Sequence, residues 1–182
     1  VESATPQTVN SSSQVTVVLK ETPPSWIVPG TFASPLDWLP KSFIVKNSIF
    51  ENTGRFGITA KTTNVVIDSS TFRFNANAGI ALGSSYNSFF KEAQPAWNIV
   101  VKNSIFENNV RRMGTLGPGG VLIDQLFVDN ANVNGNMYLF KNRFIDETHA
   151  YNIRDAMNIH LWSNIYNNVT TPILRNLPTT SN

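Results

Sequence analysis

The sequence predicts an all-β protein: a right-handed parallel β-helix, a single-stranded solenoid of about five to seven coils of ~22 residues, with long turn insertions. Three observations favour this class. The chain repeats itself, its composition disfavours helix, and 23 of its 182 residues are asparagines suited to turns. Asparagine competes for backbone hydrogen bonds in a helix, and β-branched residues lose rotamer freedom there.

The repeat is the strongest of these signals. The segment FIVKNSIFEN at 43–52 returns as IVVKNSIFEN at 99–108, and VVIDSSTFRFN at 65–75 has the same pattern. Two weaker copies begin at Tyr138 and Ile159. Such copies predict stacked coils whose phenylalanines form an internal column and whose Asn and Ser residues form hydrogen-bonded ladders at the turns. The last large apolar residues of the copies are Phe50, Phe72, Phe106, Phe144 and Ile165, which lie 22, 34, 38 and 21 residues apart.

The repeat also sets the predicted domain organisation. Residues 43–176 form the coils, residues 1–42 form an N-terminal cap or irregular segment with one strand from Val15 to Leu19, and residues 177–182 form a flexible tail. Because uncapped solenoid ends expose strand edges, we expect a continuation or a partner at the open ends of the coils. The chain is then a piece of a longer solenoid.

Composition and charge exclude several classes of function. The net charge is +2 and no basic run exceeds Arg111-Arg112, so we expect no nucleic-acid partner. No apolar stretch approaches the ~20 residues of a membrane-spanning helix. The chain has no cysteine and two histidines, and no spacing typical of metal ligands, so we expect neither a metal site nor a cofactor.

Two insertions contain the candidate functional residues. Residues 83–98 combine aromatic rings with one acid, Glu92, and residues 109–124 lead through a glycine-rich turn to Asp124. A third irregular stretch, 129–136, has the composition of a turn. Rings stack on sugars and carboxylates accept hydroxyl protons, so Phe90, Glu92 and Trp97 are predicted to bind substrate; the alternative is that the rings pack on the solenoid wall. Glu92 and Asp124 are the catalytic candidates, since glycoside hydrolysis normally uses two carboxylates about 5–10 Å apart.

Two other groups of charged residues have simpler explanations. Glu51, Arg73 and Glu107 occupy the same repeat position, which predicts an ion ladder on the surface. The sequence Asp146-Glu147 with His149 follows a phenylalanine of the column, so a solvated turn is favoured there over a catalytic dyad.

One stretch also has a family resemblance. The run NSFFKEAQPAWNIVVKNSIFENN at 87–109, preceded by GIAL at 79–82, resembles the distal coils of the parallel-β-helix α-1,3-galactosidases, enzymes of the glycoside hydrolase family 110 type. Phe90, Glu92 and Pro95 fall on that family's aromatic-Glu-x-x-Pro insertion. The resemblance covers residues 43–174 and implies an inverting α-galactosidase-like enzyme, or its distal part, with catalytic aspartates in earlier coils. Arg55, one position away from the family's Arg-Gly pair, would contact a sugar hydroxyl or carboxylate.

Two functions follow from these observations. The first is a carbohydrate-active protein that acts on a glycan or polysaccharide as a glycoside hydrolase. The alternative is a non-catalytic β-helix that serves as a glycan-binding, adhesive or structural module. Both predict an extracellular, secreted or periplasmic location, and the motifs Asn10-Ser11-Ser12 and Asn168-Val169-Thr170 fit N-glycosylation.

Overall fold

The computed structural model describes residues 3–9, 12–18, 20, 22, 42–83, 85–86, 91–92, 96–109, 119–123, 134–154 and 156–176. They belong to two units, Val1–Ala33 and Ser34–Asn182. In the first unit, β1 (Ser3–Val9) and β2 (Ser12–Val18) pair antiparallel. The structure therefore has two strands where the sequence predicted one. The pattern missed β1 because this strand contains a proline and few apolar residues. Its role as a cap stays a prediction.

The second unit consists of short strands, and no helix occurs in its described residues. In chain order the strands are β3 (Phe43–Lys46), β4 (Ile49–Glu51), β5 (Phe56–Ala60), β6 (Thr63–Asp68), β7 (Thr71–Arg73), β8 (Ala78–Leu82), β9 (Ser85–Tyr86), β10 (Lys91–Glu92), β11 (Trp97–Lys102), β12 (Ile105–Glu107), β13 (Gly119–Ile123), β14 (Asn134–Phe140), β15 (Arg143–Ile145), β16 (His149–Arg154), β17 (Ala156–Trp162), β18 (Ile165–Asn167) and β19 (Thr171–Asn176).

Fifteen of these strands form three parallel sheets of five strands each. The first sheet has the order β3-β6-β11-β14-β17, the second β4-β7-β12-β15-β18 and the third β5-β8-β13-β16-β19, while β9 and β10 pair antiparallel with each other. Successive strands of the chain thus lie in different sheets, and each strand pairs with its counterparts in the coils before and after it. This arrangement confirms an all-β parallel solenoid.

A column of aromatic rings fills the core beside the second sheet. Phe50 lies 5.2 Å from Phe72 between ring centroids, Phe72 lies 5.1 Å from Phe106, and Phe106 lies 4.8 Å from Phe144. The rings are nearly parallel, and Phe72, Phe106 and Phe144 are fully buried. The predicted phenylalanine stack is confirmed.

The fifth member of this column differs from the prediction. Tyr166, not Ile165, pairs with Phe144 and continues the stack at 5.8 Å. Ile165 pairs with Arg143 and is 58% exposed. Successive side chains of a strand point to opposite faces, so a slip of one residue exchanges interior and exterior. The repeat itself favours Tyr166, which aligns with the phenylalanine of IFEN in the earlier coils and lies one coil after Phe144, so the predicted position was one residue too early.

Small residues of the third sheet lie against the aromatic column. A Cβ atom at Gly79 would come 2.8 Å from Phe106 Cδ1, and one at Gly120 would come 2.7 Å from Phe144 Cε1. In the following coil, the register places Ala150 at the position equivalent to Gly120. In that coil the rings of Phe144 and Tyr166 are 5.8 Å apart, farther than the other pairs of the column, so a methyl group has room. Glycine is therefore required where the rings stack closely.

We expect Gly120→Ala to lower the free energy of unfolding by about 1–3 kcal/mol, because the added methyl group overpacks the Phe144 ring. Urea denaturation measures the change. Gly54→Ala is the matched control, since a Cβ atom at Gly54 has no neighbour within 4 Å. Equal midpoints for the two variants would show that the ring column does not restrict this position.

The first turn of each coil carries a continuous polar ladder. Its members are Ser48, Ser70, Ser104, Asn142 and Asn164, and each backbone N–H donates to the side-chain oxygen of the next member. The donor–acceptor distances fall from 3.3 Å at Ser48 to 2.9 Å at Asn142. These bonds satisfy backbone groups that the strands leave unpaired, and they confirm the predicted ladder of Asn and Ser residues.

Left-handed backbone explains much of the asparagine content. Asn47 and Asn103 at the first turn, and Asn52 and Asn108 at the second, have φ angles between 45° and 55°. Asparagine adopts this conformation more readily than other residues with a side chain because its short amide bonds locally. The asparagine-rich composition thus follows from two sharp turns in each coil.

The insertions are shorter than the sequence predicted. Gly119–Ile123, placed in the second insertion, is the third-sheet strand β13 and pairs with β8 and β16. Trp97 begins β11, and the turn predicted at 129–136 overlaps β14 from Asn134. The glycines at the start of β13 suggested a turn, whereas Gly120 is needed for close packing against phenylalanine.

Candidate functional site

Two of the predicted binding residues can be placed with their side chains. Arg55 is exposed just before β5, with its guanidinium 5.2 Å from the centroid of the Phe56 ring. Trp97 begins β11 and is half-buried, and its Cζ3 atom lies 2.9 Å from where a Cβ atom of Gly135 would be. Trp97 thus packs against Gly135 of the next coil, and its role in binding substrate stays a prediction. Arg55 precedes a strand of the third sheet and Trp97 begins a strand of the first sheet, so the two residues lie on different parts of the coil.

The remaining candidates are only partly placed. Glu92 lies in β10, where its backbone pairs with Ser85 of β9. Phe90 and Asp124 lie outside the described residues. The catalytic role of Glu92 and Asp124 therefore stays a prediction.

The surface ion ladder is present at its first step. Arg73 Nε donates to Glu51 Oε2 at 2.6 Å, and both side chains are exposed at the surface. Glu107 is the next residue in register beside Arg73. These charges thus lie on the outer face of the second sheet, as their shared repeat position predicted.

We expect Arg73→Gln to change the free energy of unfolding by less than about 1 kcal/mol, because a solvated ion pair gains little over its separately hydrated partners. Urea denaturation at low and high salt measures the effect. A larger loss that persists at high salt would contradict the assignment of this pair to the solvated surface.

The pair Asp146-Glu147 divides between solvent and core. Asp146 is exposed and accepts a hydrogen bond of 2.7 Å from Asn168 Nδ2, as a solvated turn predicts. Glu147 is 1% exposed and accepts hydrogen bonds from the backbone and side chain of Asn109. The solvated turn is thus correct for Asp146 and wrong for Glu147, whose side chain points into the coil.

An exposed aromatic patch, which the sequence analysis missed, lies on the outer face of the first sheet. We call it the aromatic wall; its residues are Tyr138 and Phe140 of β14, and His160 and Trp162 of β17. The Phe140 and Trp162 rings stack with centroids 4.3 Å apart, and the Tyr138 and His160 rings stack at 4.9 Å. Trp162 also meets Tyr138 edge-on at 6.4 Å and is 42% exposed.

Strand alternation places these rings outside. Met137 and Leu139 are fully buried, and Ile159 and Leu161 pack against the same core from the next coil. Every intervening residue faces the opposite side of the sheet. The available signal was the pair MYLF and IHLW, in which aliphatic residues (or Met) alternate with aromatic rings in both copies.

A column of amide side chains runs beside the wall. Asn98 Nδ2 donates to Asn64 Oδ1 at 3.2 Å, and Asn136 Nδ2 donates to Asn98 Oδ1. The hydroxyl of Tyr138 donates to Asn136 Oδ1 at 3.2 Å and so joins the column to the aromatic wall. Exposed amides offer both donors and acceptors to a polar ligand.

Charged groups occupy the same face in the earlier coils. Asp68 accepts a hydrogen bond of 2.9 Å from Asn103 Nδ2 and lies 3.5 Å from Lys102 Nζ. The hydrogen bond from Asn103, with smaller contributions from Ser69 and Lys102, holds the pKa of Asp68 below its ordinary value. Asp68 is therefore a stable anion engaged with its neighbours.

Two strands of the first sheet, β11 and β14, begin after long connections. The chain leaves the third sheet at Leu82 and enters the first sheet at Trp97, and it does so again between Ile123 and Asn134. Both long connections thus end where strands of the first sheet begin. Long connections at one edge of a rigid scaffold are a common position for binding sites.

Two further observations restrict the chemistry of the described residues. They contain no group of three or more histidine, aspartate or glutamate side chains that could hold a metal ion. No helix among them is long and apolar enough to cross a membrane.

Comparison with known proteins assigns no family. No family model, no curated protein and no solved structure matches this chain.

Proposed function

We propose that this protein is a glycan-binding β-solenoid that holds its ligand on the aromatic wall. One observation carries the proposal: stacked, exposed rings lie directly beside a column of amide side chains on one face of the first sheet. A glycan as ligand implies a secreted or periplasmic location.

The chemistry of the wall matches that of a sugar. A sugar ring has apolar C–H faces that pack on aromatic rings, and hydroxyl groups that both donate and accept hydrogen bonds. Trp162 lies on β17, the edge strand of the first sheet, and is the most accessible large ring of the patch. Exposed apolar groups collected on one face, with polar groups at their rim, typically mark an interaction site.

Binding is better supported than hydrolysis. Cleavage of a glycosidic bond normally needs two carboxylates about 5–10 Å apart at the bound sugar. Among described residues, Asp68 is the carboxylate on the outer face of the first sheet, and it is engaged by Asn103 and Lys102. The α-galactosidase-like activity stays a prediction, with Glu92 and Asp124 as candidates in this chain and catalytic aspartates in earlier coils implied by the resemblance. Release of product from a chromogenic α-galactoside would restore it as the leading function.

We also infer the finer geometry of the solenoid. Crossover connections between parallel strands of one sheet are right-handed in nearly all proteins, which favours right-handed winding. Coils without insertions have ladder partners 22 residues apart, such as Ser48 with Ser70 and Asn142 with Asn164, which favours a basic coil of that length.

We expect Trp162→Ala to weaken binding at least about tenfold, because the variant removes a large ring of the wall that is 42% exposed. Affinity electrophoresis against a panel of neutral and acidic polysaccharides, including galactans, identifies a ligand, and calorimetry with that ligand measures the change. The control is Ile165→Ala, which removes an exposed apolar side chain of the same coil from the second sheet.

The expected result is full affinity for the control and a large loss for Trp162→Ala. Equal losses for both variants, or no retardation of the wild-type protein by any polysaccharide of the panel, would reject the wall as a glycan site.

A further inference from the structure

A second polar ladder, at the turn between the second and third sheets, ends in a carboxyl group. Thr53 Oγ1 donates to Asn75 Oδ1 at 2.8 Å, Asn75 Nδ2 donates to Asn109 Oδ1 at 2.8 Å, and Asn109 Nδ2 donates to Glu147 Oε1 at 2.7 Å. Asn75, Asn109 and Glu147 are all buried. The ladder thus connects four coils through their side chains.

The asparagines of this ladder use both amide protons. Besides the bond to the next coil, Asn75 Nδ2 donates to the carbonyl oxygen of Phe50 at 3.2 Å, and Asn109 Nδ2 donates to that of Phe72 at 3.0 Å. Each asparagine therefore donates back to the carbonyl of a phenylalanine in the preceding coil. The repeat places the Phe106 carbonyl in the same relation to Glu147.

Glu147 follows this pattern with only one of its two oxygens. Its Oε1 atom accepts from the side chain and the backbone N–H of Asn109, as Asn109 Oδ1 accepts from the side chain and the backbone N–H of Asn75. Its Oε2 atom, the counterpart of the asparagine amide nitrogen, is buried and has no hydrogen-bond partner. If Glu147 were a carboxylate, Oε2 would be an acceptor at the position where the asparagines have the donor Nδ2. The charge on this atom would then be buried without a partner, which is unfavourable.

We propose that Glu147 is a neutral carboxylic acid in the folded protein, that the proton on Oε2 replaces the amide N–H of the ladder, and that loss of this proton at alkaline pH destabilises the fourth coil by leaving a buried charge at Oε2. The result is a pH-sensitive latch within the solenoid. It is independent of glycan binding, since the ladder and the aromatic wall are separate sets of side chains.

The groups around Glu147 favour the neutral form. Burial raises the pKa of Glu147 to about 8, and the charge of Asp146 adds to the increase, while the two hydrogen bonds from Asn109 oppose it. The ladder neighbour in the preceding coil is the uncharged Asn109, and Val169, in the following coil, is apolar. The next titratable side chain along the chain is His149.

The direction of the pH effect follows from linkage. In the unfolded chain the carboxyl of Glu147 has its ordinary pKa of 4.5, so between this value and about 8 the folded protein holds a proton that the unfolded chain releases. The contribution to stability is fully present below the unfolded value. As the pH rises from the unfolded value toward 8, the folding equilibrium constant decreases about tenfold for each pH unit.

The variant Glu147→Gln tests the latch, because glutamine supplies the amide donor permanently. Urea denaturation of wild type and variant from pH 5 to pH 9.5 gives the ratio of their unfolding constants. We expect the ratio of wild type to variant to rise about tenfold per pH unit up to about pH 8 and then to level. A ratio that stays constant with pH would overturn the proposal.

Two controls keep the test decisive. Asp146→Asn removes the exposed neighbouring charge. The ratio of its unfolding constant to that of Glu147→Gln should still rise with pH, but it should level at a lower pH than for wild type, because the charge of Asp146 contributes to the raised pKa of Glu147. Wild-type protein labelled with ¹³C at the glutamate carboxyls gives a direct titration by NMR, which decides the matter even if Glu147→Gln does not fold. One carboxyl should titrate near pH 8; titration of every glutamate near pH 4–5 would refute the neutral acid.

Discussion

Replacement of Phe106 by alanine is expected to lower the free energy of unfolding by about 3–5 kcal/mol. Phe106 is fully buried and stacks between Phe72 and Phe144, with ring centroids 5.1 and 4.8 Å away. Its removal leaves a cavity between two rings. Those rings cannot close together, because their strands are held apart by the hydrogen bonds of intervening β12.

The neighbouring residue provides the control for this experiment. Ile105 lies beside Phe106 on β12 but points outward and is 37% exposed. Ile105→Ala should cost less than about 1.5 kcal/mol, since little buried volume is lost. Urea denaturation compares the two variants, and a loss for Phe106→Ala no larger than that for Ile105→Ala would show that the ring column is not the main core of the solenoid.

Replacement of Asn109 by alanine should also destabilise the protein by about 3–5 kcal/mol. Its side chain accepts from the backbone and amide of Asn75 and donates to Glu147 and to the carbonyl of Phe72, and it is almost fully buried. Alanine leaves the buried backbone N–H of Asn75 without its acceptor, and it removes one of the two bonds made by Asn75 Nδ2 and one of the two accepted by Glu147 Oε1. Each unsatisfied buried group costs about 1–3 kcal/mol.

Asn167→Ala is the control for the ladder, because Asn167 lies half-buried on the outer face of β18. Its effect should stay within about 0.5 kcal/mol, as for most surface substitutions. Thermal unfolding measures both variants, and native-state hydrogen exchange localises the loss. Increased exchange throughout the coils would fit a ladder that holds them together, whereas unchanged exchange at the second turn would contradict its structural role.

The fold could be predicted from the sequence because each coil of a solenoid places equivalent residues in the same surroundings. Phe50, Phe72, Phe106 and Phe144 occupy equivalent positions, so the same residue recurs wherever the same space must be filled. The prediction failed where the repeat letters change. The prediction placed Ile165 in the aromatic column instead of Tyr166. It also assigned the residues of β13 to an insertion, because the glycines at the start of this strand are typical of a turn.

The candidate site was less accessible. Glu92 and Asp124 attracted attention because charged residues are rare in this chain, yet no contact of their side chains is described. The aromatic wall consists of four ordinary residues on two strands, and they become neighbours only when β14 and β17 pair. The alternation in MYLF and IHLW places the rings on one side of each strand, but it does not show that an amide column lies beside them.

The sequence alone therefore predicted the stacked parallel coils, from its β-branched strands, its asparagine-rich turns and its repeated phenylalanine. Two features depended on the packed coils: the exposed rings beside an amide column, and the burial of Glu147 beside an exposed Asp146. The physical reason is that periodicity is a property of neighbouring residues along the chain. The side of a strand that faces solvent, and the protonation of a carboxyl group, depend on neighbours brought from 22 to 38 residues away.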